Sequence, residues 1–232
     1  FREGQYEAVV EILEGRDVTV LLPTGAGKSL IYQLAGLCLP GRTVVVDPLV
    51  ALIEDQLYGL NQHGIDRAVG LSRRTTQLGL TDHLLGRISE GDAYFIFVAP
   101  ERLQMQDFRD ALSRLTNITP VNLAVIDEAH CVSEWGHQFR TSYLTLGSVL
   151  RKQCSTPEGD PPPLAALTGT ASRAVLKDVL FQLGMKEHNE QSIIKPTTFD
   201  RPELRFHLRP TASENDEATL AGVIQSLPGM FG

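Results

Sequence analysis

An apolar run at residues 18–22 leads into the glycine-rich turn Leu22-Pro23-Thr24-Gly25-Ala26-Gly27-Lys28-Ser29, called here the phosphate loop, and a helical pattern follows. A strand, a glycine-rich turn and a helix in this order direct backbone N–H groups and a helix N-terminus toward a phosphate. Lys28 adds a cation for the outer phosphates, and the Ser29 hydroxyl suits Mg²⁺. The usual pattern has Gly where Leu22 stands, which leaves a chance Gly-Lys-Ser turn as the alternative. The candidate phosphate-binding residues are Thr24, Gly25, Ala26, Gly27, Lys28 and Ser29.

A second motif follows another strand-like run, at residues 121–126, which ends in Asp127-Glu128-Ala129-His130. A carboxylate at the tip of a buried strand, beside a phosphate turn, is where a nucleotide-bound Mg²⁺ needs an oxygen ligand. Asp127 is predicted to take that role with Ser29, and Glu128 to orient and deprotonate the water that attacks the γ-phosphate. A solvated loop is the alternative for Asp-Glu alone. With the phosphate loop upstream, Lys28, Asp127 and Glu128 are the predicted catalytic residues.

Strand-like and helical patterns alternate along most of the chain, which predicts an α/β fold with a mostly parallel sheet and helices on both faces. Ligands of such sheets bind beyond the carboxyl ends of the strands, where both motifs lie. Strands are predicted at residues 18–22, 43–47, 68–71, 94–99, 123–126 and 164–167. Helices are predicted at residues 5–13, 29–37, 49–63, 77–89, 105–115, 144–152 and 173–183.

Composition is that of an intracellular globular enzyme. The 232 residues, 42% hydrophobic, suffice for the core of one α/β domain. No apolar run is long enough to span a bilayer, and no signal-peptide pattern is present, so no membrane partner is expected. The three cysteines are widely spaced, so neither a disulfide framework nor a zinc site is indicated, and Cys38 is expected in the core.

Net charge is the one feature that counts against nucleic-acid binding. The formal charge of -7 is acidic, whereas nucleic-acid-binding domains are often basic. Net charge reports on solubility and long-range steering, however, and a local groove on an acidic protein can still be positive. Composition therefore weakens a nucleic-acid role without excluding it.

The segment directly after the second motif, Cys131-Val132-Ser133-Glu134-Trp135-Gly136-His137-Gln138-Phe139-Arg140, resembles the aromatic-rich loop of RecQ-family DNA helicases. Residues 1–208 resemble the first RecA-like domain of that family, a P-loop NTPase fold. Aromatic rings stack on bases for about 1–3 kcal/mol each, regardless of sequence. Core aromatics are the alternative for Trp135 and Phe139. The candidate DNA-binding and coupling residues here are His130, Trp135, His137, Phe139 and Arg140.

Four further segments resemble motifs of the same family. Phe1-Arg2-Glu3-Gly4-Gln5 is similar to its adenine-recognition motif, in which the residues matched by Arg2 and Gln5 contact the base; a plain helix start is the alternative. Residues 47–56 resemble a DNA-track motif, but Asp47 stands where Ser is usual and would repel phosphate. Residues 99–102, Ala-Pro-Glu-Arg, resemble another. Residues 167–171 resemble the motif linking nucleotide state to DNA contacts, through Thr168 and Thr170, with Gly169 where Ala is common.

The resemblance implies the first motor domain of an ATP-dependent 3′-5′ DNA helicase, acting in DNA repair and recombination with ATP and Mg²⁺. Its partners would be single-stranded or duplex DNA and a second RecA-like domain that supplies an arginine finger. The chain starts at Phe1 without Met and is expected to be a piece of a longer protein, with residues 1–208 as the ATP-binding domain and 209–232 as a linker or tail.

Three other functions remain open from the sequence. A double-strand translocase or defence-system helicase would keep the motor without strand separation. A nucleotide-gated DNA-binding module would hydrolyse ATP too slowly to move, and it would gain nothing from a base at Glu128. A small-molecule kinase would leave the residues 135–140 unexplained.

Overall fold

Seven strands form one parallel sheet in the first of two units into which the chain divides. This computed structural model describes residues 1–133, 145–185 and 193–198, together with Leu220. The first unit is Phe1–Phe199 and the second is Asp200–Gly232, of which only the exposed, helical Leu220 is described. The sequence pattern also predicts an extended segment at residues 199–208 and a short helix at residues 218–227. That segment, most of that helix and the start of the helix predicted at 144–152 lie outside the described residues.

Every pair of neighbouring strands is parallel, and the order across the sheet is β3-β4-β2-β5-β6-β1-β7. This confirms the predicted mostly parallel sheet. The sequence did not predict β7, which is only two residues long. The strands are β1 (Val18–Leu21), β2 (Arg42–Val46), β3 (Ala68–Leu71), β4 (Phe95–Val98), β5 (Val121–Ile126), β6 (Leu164–Thr168) and β7 (Ile193–Ile194).

The described helices follow the predicted ones closely, with one correction. A single helix at 77–89 is wrong, because Gly79, at φ 68°, separates two helices there. The helices are α1 (Gln5–Leu13), α2 (Lys28–Cys38), α3 (Val50–Gln62), α4 (Arg73–Gln77), α5 (Thr81–Ser89), α6 (Gln106–Thr116), α7 (Leu146–Cys154) and α8 (Arg173–Gln182), with 3-10 helices at Pro100–Gln104 and Ala129–Val132.

Two hydrophobic cores cover the two faces of the sheet. One contains residues of α1, α2 and α3 with Val45 and Val125 of the sheet, and the other contains residues of α5 to α8 with Val46 and Ile126. Successive strand residues point to opposite faces. The residues that follow β2 and β5, Asp47 and Asp127, therefore return to the face that α2 covers.

Cysteine burial departs from expectation at one position. Cys38 ends α2 and is exposed, whereas Cys131 and Cys154 are buried, so the predicted core position of Cys38 is wrong. The described residues hold no group of three or more His, Cys, Asp or Glu side chains suited to a metal ion. None of their helices is long and apolar enough to cross a membrane.

Candidate nucleotide site

The phosphate loop connects β1 to the first residue of α2, and two of its glycines have left-handed backbone conformations. Gly25 has φ 82° and Gly27 has φ 77°, a region that non-glycine residues rarely adopt. A Cβ on Gly27 would also lie only 2.7 Å from Nε2 of Gln5. Because Gly27 directly precedes Lys28, the loop places the N-terminus of α2 at the carboxyl end of β1, as the phosphate-binding prediction requires.

Gln5 and Arg2 hold the phosphate loop from the N-terminal segment. Gln5 Nε2 donates to the carbonyl oxygens of Ala26 and Gly27 at 2.9 and 3.1 Å, and the Arg2 backbone N–H donates to Gln5 Oε1 at 2.8 Å. The Arg2 guanidinium donates to the Gly25 carbonyl. Gln5 is only 3% exposed. The structure thus brings both predicted base-contacting residues to the loop, with their polar groups on its backbone.

Lys28 and the turn after β6 meet at the same place. Lys28 Nζ donates to the Leu22 carbonyl at 3.3 Å. A Cβ on Gly169 would lie 3.4 Å from that Nζ and 3.3 Å from Oγ1 of Thr24. Gly169, which stands where the family commonly has Ala, therefore lies against the phosphate loop.

Asp127 provides a buried carboxylate at the carboxyl end of β5. It is 7% exposed, and burial raises its pKa to about 6, although the Glu128 backbone N–H donates to its Oδ1 at 2.9 Å. Lys28 and His130 are the cations whose charge opposes this rise. A carboxylate in such surroundings is stabilised by a further cation.

Asp127 and Ser29 have the donor chemistry for Mg²⁺. Both offer hard oxygen ligands, and Mg²⁺ is commonly held by one or two carboxylates together with substrate phosphates. Tyr32, one turn after Ser29 on α2, is fully buried. Burial raises the pKa of its phenol, and the negative charges of Asp127 and Asp47 add to this rise. The Tyr32 phenol therefore lies within electrostatic reach of Asp127.

Glu128 has the only positive φ of any described non-glycine residue, 48°. A bulky residue at positive φ is strained and is common at functional sites. Its Oε2 lies 3.2 Å from Nδ1 of His130, and hydrogen bonding to His130 lowers the pKa of Glu128. Hydrogen bonds to Cys131 and then to Glu128 raise the pKa of His130 to about 10. Near neutral pH, the two side chains therefore form an ion pair.

His130 also connects this pair to the end of β6. Its Nδ1 lies 3.0 Å from Oγ1 of Thr168, whose hydroxyl donates to the Thr170 carbonyl at 3.1 Å. Thr168 is buried and Thr170 is exposed, so these contacts lead from the carboxylates to the surface. The other predicted DNA-contacting residues, Trp135, His137, Phe139 and Arg140, lie outside the described residues.

Gln56 contacts the site, although the sequence predicts no role for it there. Gln56 of α3 donates from Nε2 to Oγ of Ser29 at 3.0 Å, and its Oε1 accepts from Nε2 of Gln33 at 2.9 Å. Gln56 ends the quoted DNA-track motif, but nothing in its spacing indicates a partner 27 residues away in the phosphate loop.

Comparison with known proteins settles the family. Residues 2–179 match the DEAD/DEAH box helicase family. The chain belongs to this family. It is 35% identical over 236 residues to a probable ATP-dependent DNA helicase RecS of Bacillus subtilis, covering 100% of this chain and 43% of that protein. It is 34% identical over 219 residues to the ATP-dependent DNA helicase RecQ of Haemophilus influenzae, covering 94% of this chain and 33% of that protein.

The similarity confirms two expectations, the RecQ-family resemblance with its helicase ATPase domain and the RecA-like α/β fold. The crystal structure of the Pyrococcus furiosus Hef helicase domain matches with a TM-score of 0.55 at 17% identity, covering 83% of this chain and 40% of that one. That likeness concerns the fold alone. The DEAD/DEAH chain described here spans less than half the length of each of these three proteins.

Proposed function

We propose that this domain binds Mg²⁺-ATP at the phosphate loop and that, in the complete protein, ATP hydrolysis drives 3′-5′ movement along DNA with strand separation, in repair and recombination. The observation that carries the proposal is the junction at Glu128. There a strained acidic side chain pairs with His130, and His130 contacts Thr168. The relatives named as ATP-dependent DNA helicases support the same function.

Each side chain has one task in this proposal. The N-terminus of α2 and Lys28 bind the phosphates, while Ser29 and Asp127 would hold Mg²⁺. The metal, when bound, neutralises phosphate charge. Glu128 accepts the proton of the attacking water. Because His130 lowers its pKa, Glu128 is a weak base while the pair is intact. A shift of His130 toward Thr168 would make the carboxylate more basic.

In this proposal, DNA contacts the side chains that lead from the Glu128–His130 pair toward the surface. Thr168 and Thr170 lead toward the surface, and the roles of Trp135, Phe139 and Arg140 rest on the RecQ resemblance. A second RecA-like domain beyond residues 209–232 would complete the ATP site, with 1–208 as the ATP-binding domain. A nucleotide-gated module explains the phosphate loop equally well. The nucleotide-gated module, however, gives no reason for the strained Glu128. A double-strand translocase would use the same ATP site and would differ from the proposed function only in lacking strand separation.

A pair of substitutions tests the proposal in the complete protein. Lys28→Ala should abolish ATP turnover because the loop loses its cation. Glu128→Gln should leave ATP binding near normal and slow hydrolysis by about a hundredfold or more, the scale of a general base. The measurements are equilibrium ATP binding and single-turnover hydrolysis. Glu90→Gln is the matched control, since Glu90 is exposed and follows α5, which packs near β3, the edge strand on the far side of the sheet from β1. Normal hydrolysis by Glu128→Gln would exclude it as the base.

A further inference from the structure

Helix α3 contacts the proposed metal ligand through one side chain. Gln56 Nε2 donates to Oγ of Ser29 at 3.0 Å, although neither of the two motifs that define the ATP site contains Gln56. We propose that Gln56 is a positioning residue that orients the Ser29 hydroxyl for Mg²⁺ and connects α3 to the metal site. This inference rests on the proposed Mg²⁺-ATP site and names a residue that regulates it.

The hydrogen-bonding capacity of the serine hydroxyl explains the role. A hydroxyl has one hydrogen and two acceptor lone pairs. The amide of Gln56 takes one lone pair, which restricts rotation of the hydroxyl and leaves the second lone pair for a cation. Residues that orient a metal ligand in this way commonly contribute a factor of about 10–100 to metal affinity or activity.

Gln33 sets the orientation of the Gln56 amide. Gln33 lies on α2, four residues after Ser29, and its Nε2 donates to Oε1 of Gln56 at 2.9 Å. With its oxygen engaged there, Gln56 presents nitrogen rather than oxygen to Ser29. All three side chains are partly buried, which limits competition from water.

The position of α3 explains how a movement of this helix could reach the metal site through the Gln56–Ser29 hydrogen bond. α3 begins at Val50, just beyond the carboxyl end of β2, and the buried Asp47 accepts a hydrogen bond from the Leu49 backbone N–H at 2.9 Å in the connecting turn. A displacement of α3 relative to α2 would therefore lengthen the Gln56–Ser29 contact. Movement at this edge of the sheet would thus reach the metal site without passing through Asp127 or His130.

The test separates metal-dependent from metal-independent nucleotide affinity. The affinity of the complete protein for a fluorescent, non-hydrolysable ATP analogue is measured with saturating Mg²⁺ and with EDTA. Gln56→Leu should reduce the gain in affinity that Mg²⁺ provides by about tenfold and leave the affinity in EDTA unchanged. Gln33→Leu should reduce the gain less. Gln62→Leu, at the exposed end of α3, should leave it unchanged.

Two outcomes would contradict the inference in different ways. An undiminished Mg²⁺-dependent gain in folded Gln56→Leu would overturn the role of Gln56 alone. Absence of any Mg²⁺ dependence in the wild-type protein would instead refute the proposed metal site. A thermal melt shows whether Gln56→Leu is folded; if it is not, Gln33→Leu decides, and an unchanged gain there overturns the inference.

Discussion

Gln5 uses both amide hydrogens within the protein. They bind the carbonyl oxygens of Ala26 and Gly27, while the RecQ resemblance gives the matching residue a contact with adenine. In this geometry, Gln5 supports the shape of the phosphate loop, whatever base is attached to the phosphates. The sequence identified the right residue, since Gln5 lies at the loop. It could not show which groups the amide contacts, because those groups are backbone carbonyls 21 and 22 positions away.

Substitution of Gln5 by Glu distinguishes loop support from base recognition. A carboxylate has no hydrogen to donate and would face two carbonyl oxygens. ATP and GTP affinities should therefore fall together, by about tenfold, the effect of about 1.4 kcal/mol. Competition binding with both nucleotides measures this, with Glu7→Gln on the exposed side of α1 as control. If only the affinity for ATP fell, Gln5 would be a base-reading residue instead.

At the scale of elements, α2 approaches the sheet at a position where a side chain does not fit. A Cβ on Gly36 would lie 2.4 Å from Oγ1 of Thr43 and 3.0 Å from the Phe95 ring. The apolar periodicity of α2 predicted the helix, but no pattern within the helix reveals that Gly36 faces β2 and β4. For the same reason, the exposure of Cys38 was missed, since the last residue of an apolar helix need not face the core. The break at Gly79 was missed because Leu78 and Leu80 continue the apolar pattern on either side of it.

Two alanine substitutions measure this close approach. Gly36→Ala should destabilise the protein by about 1–3 kcal/mol through overpacking, although alanine is the better helix former. Gly59 of α3 is the matched control, because a Cβ there meets no atom within 4 Å. Gly59→Ala should stabilise the fold by about 0.5–1 kcal/mol. Denaturant unfolding gives both values. Equal effects of the two substitutions would show that α2 can move away from the sheet.

The whole molecule assembles its site from strands that are distant in sequence. The phosphate loop, Asp127 and Thr168 lie side by side at the carboxyl ends of β1, β5 and β6. They are neighbours because β6 lies between β1 and β5 in the sheet. The two motifs and the parallel sheet were predictable, since each is local or follows from alternation. The neighbours of Ser29 and His130 were not, because they depend on which strands and helices lie side by side.

The chain alone should be a poor ATPase. It spans 43% and 33% of its RecS and RecQ relatives, and an arginine finger from a second domain contributes about 10³–10⁵ in related phosphoryl-transfer systems. Residues 1–232 should bind ATP weakly and show little DNA-stimulated hydrolysis, whereas the complete protein should show both. Steady-state ATPase assays with and without single-stranded DNA compare the two. Robust unwinding by residues 1–232 alone would refute the requirement for a second domain.

The backbone conformation at Glu128 favours a residue other than the one that the proposed chemistry needs. At φ 48°, glycine would be the relaxed residue, and a non-glycine side chain there costs on the order of 1 kcal/mol. Engineering this domain for heat resistance alone would therefore favour Gly or Asn at position 128 and would remove the proposed base. A stabilised variant library, screened by melting temperature, would select against the ATPase at this one position, so the screen must hold Glu128 fixed.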